Sequence, residues 1–202
     1  MALHLLESSF TAPGPDRRWD DAFLRSERSR LELGRRSDRM TAAVISALDR
    51  LPELPKDVPV VFGSMLGVQS RITALQNDLL DFPEDQIGPV AFSCSVHNAV
   101  PGAAAIRFVL KTPVFSLAGF ERLPQRVLQL ADTVLAAGGA EQVLAIFAEE
   151  RSTFADRAMK LLDLEPTEFA AVFLLESAKP GQDVFAPDDT LNYFDWIGKL
   201  LP

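Results

Sequence analysis

Apolar runs set between segments of helical periodicity predict an α/β fold on a mainly parallel sheet. The runs are VPVVF (58–62), VLAIF (143–147) and AAVFLLE (170–176). Each is too continuous for a half-exposed strand and suits one buried on both faces. Between them, apolar residues recur at helical spacing and Gly or Pro residues mark the ends. A chain of 202 residues, 48% hydrophobic and 24% charged, favours one domain over 1–202 with a large core.

The opening ALHLLESSF (2–10) alternates in part and reads as a strand broken at Pro13 to Pro15. Residues 16–36 are charge-rich, an irregular excursion or a short helix. Ser37 is placed to cap a helix on which Met40, Val44, Leu48 and Leu51 recur. Gly63 and Gly67 bracket a tight turn after the strand 58–62, and Val68, Ile72, Leu75 and Leu79 mark one face of the next helix. A helix is expected from Asn98 to Val109, then a strand from Val114 to Leu117. The following helix, Glu121 to Ala137, carries Pro124 in its first turn, where a missing N–H is harmless, and stops at Gly138-Gly139. In the tail, Leu191, Phe194, Trp196, Ile197 and Leu200 form an amphipathic segment fit to pack back onto the body.

Composition excludes several classes. A net charge of −8 argues against a nucleic-acid partner, and the basic run from Arg25 to Arg39 is interleaved with acids as on a solvated surface. No apolar segment reaches membrane-spanning length and no leader pattern is evident, so no membrane insertion and a cytoplasmic location are expected. One cysteine rules out an internal disulfide and a multi-cysteine zinc site. No cofactor and no metal are expected.

The stretch PVAFSCSVHNAVPGAAAIRFVLKTPVFSLAGFE (89–121) resembles the approach to the active-site nucleophile in the N-terminal half of β-ketoacyl synthases, condensing enzymes of the thiolase fold. RRSDRM (35–40) is similar to the entry to the first family helix, and FGSMLG (62–67) to its Gly-Ser-x-x-Gly turn. VLAIFAEE and AAVFLLES resemble the fourth and fifth strands. The FSCSVHNA variant resembles the short synthase-like proteins of aryl polyene biosynthesis called chain-length factors. The resemblance implies one thiolase-like half, a five-stranded mixed sheet with helices on both faces.

Two departures shape the expected function. Laid without gaps, the nucleophile position falls on Glu121, which cannot carry an acyl thioester. The resemblance also implies that the second half, with the family's catalytic histidines and lysine, is lacking. His4 and His97 match neither. Condensation needs an activated thiol and donors for the developing oxyanion, and no residue here stands at those positions. The expectation is a non-catalytic partner of an active β-ketoacyl-ACP synthase, serving polyketide, aryl polyene or fatty acyl elongation and meeting acyl carrier protein only indirectly. A stand-alone binding or scaffold protein and a Cys94-dependent thioesterase are the alternatives.

The helix after Glu121 bears on this independently. Leu123, Val127, Leu130, Ala131, Val134 and Leu135 make one apolar side, whereas Arg122, Gln125, Arg126, Gln129, Asp132 and Thr133 make a polar one. One stripe means one buried face. In a full synthase this helix is sandwiched between two sheets, where burying Arg122 and Arg126 unpaired would cost on the order of several kcal/mol.

The resemblance implies tunnel-bounding roles for Met65, Leu66, Ala91 and Phe92, with Leu66 at the length-limiting position; an apolar turn that simply fills the core is the equal alternative for Met65 and Leu66. It implies partner contacts at Val114, Phe115, Ser116, Leu117, Asn98 and Ile106. Cys94 with His97 lacks a demonstrated base geometry and reads as a small buried residue beside a histidine that fixes a loop or caps a helix. Glu149 and Glu150, at a strand end, are expected to face solvent.

Overall fold

The computed structural model describes residues 2–13, 18–34, 37–120 and 122–201. One five-stranded sheet runs in the order β1 (Leu3–Thr11), β5 (Phe169–Ser177), β4 (Gln142–Glu149), β2 (Val60–Ser64), β3 (Val114–Ala118). β2 pairs in parallel with both β3 and β4, while β5 is antiparallel to β4 and to β1. The sheet is therefore mixed rather than mainly parallel. The link from β4 to β5 holds one short helix, α7 (Thr153–Leu161), and returns to the edge it left, so Glu149 pairs with Phe169.

The apolar runs are continuous because the sheet separates two cores. Val60, Phe62, Leu144, Ile146, Ala170 and Val172 face one side; Val61, Ala145, Phe147, Ala171 and Phe173 face the other. On the first side lie α1 (Asp21–Arg30), α2 (Arg39–Asp49) and α5 (Ala99–Phe108), with Val44, Leu48, Val100 and Ala104 fully buried. On the second lie α6 (Leu123–Ala136), α8 (Tyr193–Leu200) and Met159 of α7.

Most predicted elements form within two residues of their expected ends. Asp38, not Ser37, caps α2: its Oδ1 accepts from the Thr41 N–H at 2.7 Å. A carboxylate one residue later reaches the third helical amide, while the Ser37 carbonyl is taken up by Arg28. The charge-rich 16–36 region contains α1, whose Arg30 pairs with Glu27 and Asp49 at 2.7 Å each. Arg35 and Arg36, within the RRSDRM motif, lie outside the described residues.

α6 buries one side, as its pattern predicted: Leu123, Val127, Ala131 and Leu135 are buried, and Arg122, Arg126, Gln129 and Thr133 are exposed. It presses close to β2. A Cβ on Gly63 would stand 2.5 Å from Val127 Cγ2, so only glycine permits this approach.

Between β2 and β3, the chain forms α3 (Gln69–Asp81), α4 (Pro89–Ser93) and α5. The expected apolar face of α3 exists but is poorly covered: Ile72 and Leu75 are half-buried and Leu79 is exposed. Among the described residues no helix is long and apolar enough to cross a membrane.

Candidate functional site

Parallel strands present their carboxyl ends to a crevice where connections diverge, the usual place for a site in an α/β sheet. Here β2 ends in the turn Ser64–Gly67, β4 ends in Glu149, and β3 ends in Gly119-Phe120, immediately before α6. A cavity of about 220 Å³ opens there, lined by Met65, Phe120, Arg122, Gln125, Tyr193 and Trp196. Glu121 lies outside the described residues, although its neighbours Phe120 and Arg122 both line this cavity.

The turn is held from beneath. Ser64 is fully buried; its Oγ donates to Glu149 Oε2 at 3.2 Å and accepts from the Gly67 N–H at 2.9 Å. The Met65 N–H donates to Glu149 Oε1, and Gln69 Nε2 donates to the Leu66 carbonyl at 2.5 Å. Gly67 takes a φ of +70°, and a Cβ there would meet the His97 ring at 2.9 Å. His97 is half-buried, and burial pushes its imidazole below the usual range. Its carbonyl accepts from Ser116 Oγ at 3.2 Å, tying the loop before α5 to β3.

Glu149 and Glu150 do not face solvent. They are 3% and 2% exposed, because the turn and α8 close over the end of β4. Burial pushes the Glu149 carboxyl up to about 8, against hydrogen bonds from Met65 and Ser64 that hold it down. Burial likewise raises Glu150 to about 7, with the Ser70 N–H donating to its Oε1. Tyr193, also buried, has a hydroxyl with no hydrogen bond of good geometry and feels the Glu149 carboxylate. A third buried acid, Glu168, accepts from the Trp19 and Arg151 amides and pairs with Arg39 at 3.6 Å. The acidic pair was noticed in the sequence but misplaced in solvent, whereas Glu168 and Tyr193 went unrecognised. The available signal was an acidic pair directly after an unbroken apolar strand.

The other predicted residues fall in two places. Met65 is buried in the cavity wall and Leu66 is half-buried at the turn tip, packed on the second core. Ala91 instead lines a separate, more apolar cavity of about 280 Å³ with Leu75, Val90 and Cys94. Phe92 is 64% exposed on α4. Cys94 is a half-buried free thiol ending α4. Val114, Phe115, Ser116 and Leu117 are half-buried on β3, which is an edge strand. Asn98 and Ile106 are exposed, Ile106 to 82%. Among the described residues no cluster of three or more His, Cys, Asp or Glu could hold a metal ion.

The sequence model described as "Beta-ketoacyl synthase, N-terminal domain" matches residues 32–184. The chain belongs to the β-ketoacyl synthase N-terminal domain family. Solved structures extend the likeness in fold. A ketosynthase (ApeO) in complex with its chain length factor (ApeC) from Xenorhabdus doucetiae superposes with a TM-score of 0.69 at 20% identity, over 89% of this chain and 81% of that one. The ishigamide ketosynthase/chain length factor gives 0.68 at 20% identity, over 93% of this chain and 64% of that one. A type II polyketide ketosynthase in complex with its acyl-carrier protein, AntDE:AntF, gives 0.64 at 15% identity over 94% and 70%. No curated protein sequence matches. The thiolase-like half expected from the motifs is thus the fold adopted.

Proposed function

We propose that this chain is a non-catalytic, chain-length-factor-like partner of an active β-ketoacyl-ACP synthase, docking through β3 and the crossover between β2 and β3. The observation that carries this is an open edge beside uncovered apolar surface. Among the described residues β3 pairs only with β2, leaving one row of its backbone groups open to another strand. Of the twelve exposed large apolar side chains among the described residues, eight fall between Leu79 and Phe120. They include Leu80, Phe92, Ile106 and Val109. Exposed apolar side chains concentrated on one crossover and its flanks support an interaction surface there.

In this reading the partner holds the nucleophile and histidines in the cytoplasm, and this subunit shapes the tunnel for a polyketide, aryl polyene or fatty acyl chain on acyl carrier protein. Glu121 at the nucleophile position supports a subunit that forms no acyl thioester.

Co-expression with full-length synthases followed by size-exclusion chromatography tests the docking. A stable heteromer is expected. Ile106→Asp should weaken it by at least about tenfold. The same change leaves the melting temperature of the isolated subunit nearly unaltered, because an exposed residue contributes little to folding. Elution as a free subunit beside every candidate synthase would sink the reading. Leu66→Trp, assayed in the assembled complex, is expected to shorten the product; unchanged length removes the gate role from Leu66.

A further inference from the structure

We propose that Glu149 is a positioning residue for chain-length selection, setting the Met65–Leu66 turn and so the depth available to an acyl chain. This rests on the chain-length reading above and adds the group that controls its gate. Three observations converge on the glutamate. Its carboxyl accepts from two donors of the turn, the Met65 N–H and Ser64 Oγ, with the Leu66 N–H turned towards it as well. It stands at the end of the central strand β4, fully enclosed, where an apolar side chain would pack without desolvation cost. It also touches the α8 side of the site through Tyr193, which shares the 220 Å³ cavity with Met65.

The remaining ties on the turn come from outside. His97 leans on Gly67, Gln69 holds the Leu66 carbonyl, and the Ser70 amide is bound by Glu150. Leu66 is held at its carbonyl by Gln69, while its N–H and the two residues before it, Met65 through its amide and Ser64 through its hydroxyl, all turn towards the Glu149 carboxyl. A specificity wall must be held to a fraction of an ångström by supporting hydrogen bonds, since a displaced wall admits a different chain. A buried carboxyl with two donors provides that support, because either protonation state still accepts the Met65 N–H.

The experiment uses the subunit assembled with its synthase and measures the product length distribution, alongside the melting temperature and the yield of complex. Glu149→Ala should shift the ratio of neighbouring lengths by about tenfold, the scale of discrimination for one methylene in an apolar pocket. Glu149→Gln, which keeps an acceptor for the Met65 N–H, should restore the wild-type distribution. An unchanged distribution in Glu149→Ala, with Leu66→Trp still shifting it, overturns the positioning role and leaves the gate intact. If Leu66→Trp also changes nothing, the chain-length reading itself falls. A Gln variant as altered as the Ala variant overturns the hydrogen-bond basis. Should Glu149→Ala fail to assemble, Ser64→Ala, which removes one of the two donors, decides in the same way: a shift supports the role and no shift overturns it.

Discussion

Glu149→Gln should be progressively more stable than the wild type as pH rises from about 5 to 8, by about 1 kcal/mol per pH unit. The folded carboxyl sits near 8, above the 4.5 it has when free, so folding favours the protonated form. A raised pKa contributes stability that is complete below the unfolded value and is lost as pH climbs through the folded one. Between those limits, unfolding releases a proton, and each added pH unit draws the protein towards the unfolded state. Glutamine resembles the protonated acid and does not titrate, so the variant escapes this loss. Glu150, raised to about 7, adds a smaller contribution of the same sign in both proteins. His97, lowered by burial, acts in the opposite sense and is also common to both. Urea unfolding of the two proteins across this range isolates Glu149. A stability difference independent of pH would show that the carboxyl is ionised in the fold.

Trp196→Ala is expected to lose about 3–5 kcal/mol, a large share of the stability of a domain this size. Trp196 is 4% exposed and centres the aromatic cluster on the second face, with ring centroids 5.5 Å from Phe147, 6.1 Å from Phe185 and 6.3 Å from Phe173. Removing the indole leaves a cavity under α8, whose Asn192 cap and eight residues cannot hold the helix in place alone. The same change loosens Tyr193 above Glu149, so the turn at Met65 should also become more mobile. A denaturation midpoint showing a loss under about 1 kcal/mol would mean that α8 is an appendage rather than part of the core.

How legible each part was follows from the range of the forces involved. The strands VVF, VLAIF and AAVFLL were readable because a strand between two cores must be apolar on both faces. The single buried side of α6 was equally plain, since helical periodicity records what a helix touches. The tail helix was foreseen from Phe194, Trp196 and Ile197, although Tyr193 was missed, its role depending on an acid 44 positions earlier in the chain. The acidic pair after β4 was misread. A strand end is usually wet, and nothing local says that the turn from β2 and the helix at the far end of the chain will fold over it.

The amino-acid sequence by itself determined the element order, the two-sided core and the family, because local propensity and apolar periodicity are written residue by residue. Only the tertiary structure decided that Glu149 and Glu150 are buried, that they grip the Met65 and Ser70 amides, and that β3 and Ile106 stand open. Burial and hydrogen-bond partnership are properties of segments brought together from distant parts of the chain. No window of sequence contains both members of such a contact.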